Sequence, residues 1–304
     1  MKLTDPVFHD EAKALAYFEA LTWPNGPFCP HCGETQRIYR ITGKSARPGL
    51  IHCNGCDGAF TVRTGGVMES SHVPLTKWAL GFFLMSSSKK GISAHQLMRS
   101  LGLGSYRTAW FMAHRIREAM GPSEAGPVGG PGKIVEADDT ELAPSRKTRV
   151  KGGKSRARNK KFVALVERGG KVRSAVIDGG VMNLRNTVRE MLHPEATLHT
   201  DGANAFRAVV PAHAHESVDH DKMFARDGKT GRVHCNTAEG YFSLFKRGLV
   251  GTYQHISPAH LPRYLNEFDF RMNNRVRLGV DDTERAARAV KGAGGKRLTY
   301  RQVA

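Results

Sequence analysis

Acid is what this sequence is short of. Its 304 residues carry 28 Asp and Glu against 46 Lys and Arg, a formal net charge of +18. So lopsided a balance argues against a cationic partner and asks for a polyanion, nucleic acid ahead of an anionic membrane surface. Long apolar runs are missing as well. No stretch approaches the roughly 18 residues that span a bilayer, and the opening MKLTDPVFHDEAKALAYF has no basic segment followed by an apolar core. Neither a membrane span nor a signal peptide is expected, and the expected location is the cytoplasm. Cysteine is scarce: there are five, four of them crowded into the first fifth of the chain, which excludes a disulfide framework. The 40% hydrophobic content is ordinary and fills the core of one large domain or two to three small ones.

The clustered cysteines form two knuckles, Cys29-Pro-His-Cys32 and Cys53-Asn-Gly-Cys56. Each CxxC turns two thiolates toward one ion, and two knuckles at this separation make a closed structural Zn²⁺ site, a zinc ribbon. A redox role is disfavoured because no βαβ pattern surrounds either pair. The fifth, Cys235, reads as small packing. With a helix over 9–21, the ribbon makes a first region, 1–70. Region 71–120 is helical: 74–85, then 92–100, the turn LGLG, and 105–120. Helix, glycine-containing turn, helix is the pattern of a helix-turn-helix, whose second helix would offer Arg107 and Arg115, with His114 and Arg117, to DNA. A plain helical hairpin has the same pattern.

Residues 121–132, GPSEAGPVGGPG, read as a linker. Beyond it the pattern becomes strands alternating with helices, predicted as strands 133–141, 161–167 and 171–178, helix 183–192, strand 196–200, helix 203–210, strand 216–218 and a helix from Asn236. Gly169-Gly170 marks a hairpin between the second and third strands. This order predicts an α/β ribonuclease-H-like catalytic domain over 133–280, preceded by the zinc ribbon and the helix-turn-helix-like region and followed by a C-terminal helix and tail, 281–304. The late helices, 258–274 and 281–291, are expected to brace the catalytic domain. Between the first two strands lie nine basic residues and no acid: Arg146, Lys147, Arg149, Lys151, Lys154, Arg156, Arg158, Lys160 and Lys161. Such a run is a solvated hairpin tip, and beside DNA it would lie along phosphates.

The chemistry is sought in HCNTAEGYFSLFKRG, residues 234–248. At about 100° per residue, Asn236, Glu239, Ser243 and Lys246 share one face of a helix otherwise lined by Tyr241, Phe242, Leu244 and Phe245. A half-buried carboxylate there needs partners, and two stand upstream: Asp138 within the first strand and Asp201 at the end of the fourth, its expected neighbour. Three converging carboxylates repel unless cations lie between them, which predicts a pair of Mg²⁺ (or Mn²⁺) ions suited to phosphodiester chemistry. Lys246, two turns beyond Glu239, is placed to meet a phosphate. Asp139, Asp178, Asp219, Asp221 and Asp227 are as acidic, and only position relative to the inferred elements favours the chosen three.

These stretches, CPHC and CNGC, IVEADDTEL, LHTDGANAF, the long run from Val233 to Arg275 and KRLTYRQ near the end, resemble the ISXO-like insertion-sequence transposases, DDE-type enzymes with an amino-terminal zinc ribbon. The resemblance covers nearly the whole chain. It implies that Asp138, Asp201 and Glu239 are the metal-binding triad and that Lys246 is the lysine following the glutamate. Where the family tends to have Asp-Glu this chain has Asp138-Asp139, and Asn236 is an alternative third ligand. The implied activity is cleavage at element ends and strand transfer on double-stranded DNA, terminal repeats and target, by a homodimer or larger assembly. A DNA-binding regulator with an inactive catalytic domain and a plain metal-dependent nuclease are the competing functions.

Overall fold

The computed structural model describes residues 1–122, 126–142, 160–211, 214–219 and 222–299. The chain divides into two compact units, Met1–Ser123 with Asn274–Ala304, and Glu124–Asn273.

In the first unit, Asp10 caps α1 (Glu11–Thr22) by accepting from the amides of Ala12 and Lys13. A three-stranded antiparallel sheet follows, β1 (Ile38–Arg40), β2 (Ile51–Cys53) and β3 (Gly58–Phe60), joined to α1 by two Arg40–Glu19 bonds of 2.9 and 2.7 Å. Three helices come next, α2 (Leu75–Ser87), α3 (Ala94–Ser100) and α4 (Tyr106–Met120). Pro74 gives α2 no capping side chain; its amides at Leu75 and Thr76 are received by Glu11, at 2.7 and 3.1 Å.

The second unit is built on a five-stranded mixed sheet: β4 (Ile134–Leu142), β5 (Lys160–Glu167), β6 (Val172–Ile177), β7 (Thr197–Thr200) and β8 (His215–Ser217), in the order β6-β5-β4-β7-β8. The first three are antiparallel neighbours, while β7 runs parallel to β4 and β8 parallel to β7. That mixed sheet is consistent with a ribonuclease-H-like domain. Alternation along β4 sorts its side chains by face. Val135 and Ala137 join Leu184, Val188 and Met191 of α5 (Val181–Met191) on one side. On the other side Phe162, Ala164 and Val166 of β5 pack with Tyr241, Phe242 and Phe245 of α6 (Asn236–Gly248) and Leu265 and Phe268 of α7 (Leu261–Asn273). A short hairpin, β9 (Arg226–Gly228) and β10 (Gly231–Val233), leads into α6; the sequence reading did not anticipate it.

Three expectations need correction. The predicted helix 203–210 is a single 3-10 turn, Asn204–Phe206, because Ala208 takes a left-handed φ of 61° that no α-helix accommodates. Part of the predicted linker is packed: Val128 is buried, donates to Met191 O at 2.7 Å and accepts from His193 N at 2.9 Å. Gly129 permits this, since at φ 92° a Cβ would fall 2.7 Å from both Ala196 Cβ and Val135 Cγ2. The last helix, α8 (Asp282–Lys291), expected with the catalytic domain, clusters instead with the other unit. It belongs to the first unit with α1, α2 and α4, tied by buried Arg285 to the carbonyls of Ser86, Asn274 and Val280.

Candidate active site

Register places the two aspartates. On the parallel pair β4 and β7, Ile134, Val135 and Glu136 stand opposite Thr197, Leu198 and His199, so Asp138 comes level with Asp201, which follows directly on the end of β7. Adjacent strands lie about 4.8 Å apart, and the two carboxyls feel each other. The Asp138 carboxyl is pushed up to about 7, first by burial and next by the charge of Asp201, with smaller contributions from Asp139 and Glu239. A 2.7 Å bond from the Asp139 amide to Asp138 Oδ1 opposes the rise. Asp201 Oδ1 accepts the Ala203 amide at 3.0 Å.

Glu239 stands in the first turn of α6 and, with Asp138, Asp139, Thr140, Phe242, Ser243, Lys246, Arg247 and Val250, lines a cavity of about 550 Å³. The helix is packed as its spacing predicts, with Tyr241, Phe242 and Phe245 buried, but its polar stripe is more open than expected: Asn236, Glu239, Ser243 and Lys246 are all exposed. Asn236 is at the first position of α6 and is not among the residues lining the cavity. Among the described residues, the carboxylates of Asp138, Asp201 and Glu239 do not all lie within 4.8 Å of one another; the cysteines of the ribbon do. Hard carboxylate oxygens, with Asp201 and Glu239 both adding to the proton affinity of Asp138, are a fitting donor set for divalent cations.

The buried carboxylate of this region is one that the sequence reading missed. Glu136, fully buried on β4, accepts from the Thr237 amide at 2.7 Å, the Ala238 amide at 3.1 Å, the Thr237 hydroxyl at 3.0 Å and Arg168 Nε at 2.7 Å. His234 Nδ1 lies 3.1 Å from it. Arg168 continues outward to the carbonyls of Arg232 (2.7 Å) and His234 (3.0 Å) and to His199 Nδ1 (3.2 Å). Burial, followed by the Arg168 charge, holds His199 down at about 4. The available signal was an acid two residues from Asp138, hence on the same strand face, in an otherwise apolar segment.

A family model described as the ISXO2-like transposase domain matches residues 128–273, nearly the whole sheet unit, and one described as the transposase zinc-ribbon domain matches residues 9–58. The chain belongs to the ISXO2-like transposase family. No curated protein and no solved structure matches it.

The zinc ribbon of this transposase holds its four thiols ready for one ion. Cys29, Cys32, Cys53 and Cys56 have their sulfurs within 4.8 Å of one another, with Cys29–Cys56 at 3.7 Å and Cys32–Cys53 at 3.6 Å. A tetrahedron with Zn–S near 2.3 Å has edges of about 3.8 Å, so the group fits Zn²⁺. Cys235 is buried at the start of α6, its thiol pushed well up by burial and then by Glu136, Asp138, Asp201 and Glu239.

The residues predicted to meet DNA divide. Arg107 is exposed at the start of α4, whereas Arg115 is half-buried, donates to Glu69 O at 2.9 Å and lies 4.6 Å over the Phe111 ring. His114 and Arg117 are buried with Ala113 and Ile116, because α4 packs on α2, α3 and α8, and neither is open to a groove. In the basic run, Arg146, Lys147, Arg149, Lys151, Lys154, Arg156 and Arg158 lie outside the described residues, as does the side chain of Lys160. Lys161 is engaged at 2.9 Å with Glu141 and 3.7 Å with Asp139. No described helix is long and apolar enough to cross a membrane.

Proposed function

We propose that this chain is an insertion-sequence transposase that cuts DNA at the ends of its element and joins them to target DNA, with Asp138, Asp201 and Glu239 as metal ligands. The observation that carries this reading is the level placement of Asp138 on β4 and Asp201 just past the end of the parallel β7, beside a cavity that Asp138 lines with Glu239 and Lys246. These carboxylates would hold two Mg²⁺ or Mn²⁺ ions, which would supply activation of the attacking oxygen and neutralisation of the leaving one. Asn236, one turn before Glu239, is the alternative third ligand. Lys246 and Arg247, on the cavity wall, hold the scissile phosphate and neutralise charge gathering on it. Water opens the phosphodiester, and the freed 3′ hydroxyl attacks target DNA in line without a covalent enzyme intermediate.

The charge of +18 supports a long DNA path. The ribbon and the α3-turn-α4 segment, in the manner of a helix-turn-helix with Arg107 foremost, recognise the terminal repeats. The basic run from Arg146 to Lys161 holds flanking or target phosphates. Two ends have to be joined in one event, so the active species is a dimer or larger assembly on DNA.

Incubation with labelled ends, target plasmid and Mg²⁺ tests the reading. A transposase yields joined product; nicking without joining identifies a nuclease, and a band shift without any cleavage identifies a regulator.

A further inference from the structure

Helix α6 has no cap of its own. Its N-cap residue, Cys235, makes no side-chain hydrogen bond to the first turn, yet that turn is buried at Ala238. Unmet amides at a helix start are costly, and they are received here from another element. Both Glu136 oxygens take part: Oε2 receives the amides of Thr237 and Ala238, while Oε1 receives the Thr237 hydroxyl and Arg168 Nε. The carboxylate also meets the positive end of the helix dipole.

The consequence is geometric. Glu136 and Asp138 are two residues apart on β4 and share one face, a step of about 6.7 Å. Glu239 directly follows Ala238, the last residue whose amide Glu136 holds. The hydrogen bonds from α6 to Glu136 therefore join the two elements two residues from Asp138 and one residue from Glu239, the first and third carboxylates of the proposed triad. Arg168 locks the same carboxylate from below and grips the carbonyls of Arg232 and His234, the chain that enters α6. We propose that Glu136, held by Arg168, is the positioning residue of the site, fixing the first turn of α6 on β4 so that Glu239 is set against Asp138 and Asp201.

This inference rests on the reading of the triad given above. A residue of this kind acts through the ligands, and its loss typically weakens metal affinity or activity by about 10–100-fold. The test uses the full chain carrying Glu136→Gln, which keeps the shape but turns an amide NH₂ toward donors. Binding of MnCl₂ alone by calorimetry, binding of labelled element ends, and strand transfer across a Mg²⁺ titration are measured well below the melting temperature. Expected are weaker Mn²⁺ binding, a higher Mg²⁺ requirement and a lower maximal rate, with end binding unchanged. Where Glu136→Gln fails to fold, Thr237→Val removes one bond to the same carboxylate and is expected to shift all three quantities less, in the same direction. Variants that fold and bind Mn²⁺ and join ends as wild type overturn the positioning role. Asp138→Asn separates the two levels: if it too binds Mn²⁺ and joins ends, the triad itself is wrong. If it loses both while the Glu136 variant keeps both, the triad stands and positioning alone falls.

Discussion

Replacing Asp138 with Asn should make the metal-free protein more stable, the reverse of what a structural aspartate would give. The substitution is nearly isosteric, and Asn Oδ1 can still accept the Asp139 amide that reaches Asp138 at 2.7 Å. What disappears is a charge that the fold resists, since burial and the facing Asp201 raise this carboxyl from an ordinary 3.8 to about 7. Between those values the native state keeps a proton that the unfolded chain has released, so stability falls as pH rises through about 7. At about 1.4 kcal/mol per tenfold change in acidity, the full penalty is about 4 kcal/mol, and partial solvent access at this half-buried site reduces it to about 2. In EDTA at pH 8, Asp138→Asn is therefore expected to exceed wild type by about 2–4 kcal/mol, with the gap closing toward zero near pH 4. Denaturation followed by circular dichroism reports on both units together, so the sheet unit's transition is the part left once the other unit's is known. The three tryptophans, Trp23, Trp78 and Trp110, all lie in the other unit and report on it separately. Adding Mg²⁺ should stabilise wild type and not the variant. A variant equally or less stable than wild type at pH 8 would refute the claim of electrostatic crowding.

Other consequences are open to measurement. Gly129→Ala forces a Cβ to within 2.7 Å of Ala196 and Val135 in a left-handed conformation; a loss of about 1–3 kcal/mol in the sheet unit is expected, and an unchanged midpoint contradicts the close approach. Asp269, which accepts from Tyr241 Oη at 2.6 Å and the Ser174 amide at 2.7 Å, is raised by burial from 3.8 to about 6. Its contribution is complete below about pH 4 and lost as pH rises through about 6, so wild type should lose about 3 kcal/mol relative to Asp269→Asn across that window, and parallel pH profiles would exclude it. Stripping zinc with a chelator, or Cys53→Ser, should unfold the ribbon while leaving the sheet unit's transition in place; protein purified without zinc that keeps the ribbon's exchange protection would show that the four thiols hold no structural ion.

Much of the sheet unit was legible because its signals are local. Gly169-Gly170 announced the β5–β6 hairpin, and the 3.6-residue spacing of Tyr241, Phe242 and Phe245 announced α6 and its buried side. The relation between Asp138 and Asp201 followed once strand order was guessed, since level register on parallel neighbours does the rest. What stayed hidden depends on which surfaces meet. Glu136 looked like any strand acid, because nothing in one sequence says that an uncapped helix start comes down on it. His114 and Arg117 looked available but are buried, because a helix packed on three neighbours has little free face. The apolar side of α8, with Ala286, Ala289 and Val290, was readable, but not its destination beside α1, α2 and α4. The hairpin β9–β10 has a turn signal in Gly228-Lys-Thr-Gly231, but its strands are too short to show an alternating pattern.

The positions of bound divalent ions decide whether Asp138, Asp201 and Glu239 form one site. Crystals grown with MnCl₂ and measured at the manganese edge are expected to show two anomalous peaks about 4 Å apart at the carboxylates of Asp138, Asp201 and Glu239. Manganese bound elsewhere, with none at these three carboxylates, would contradict the shared site.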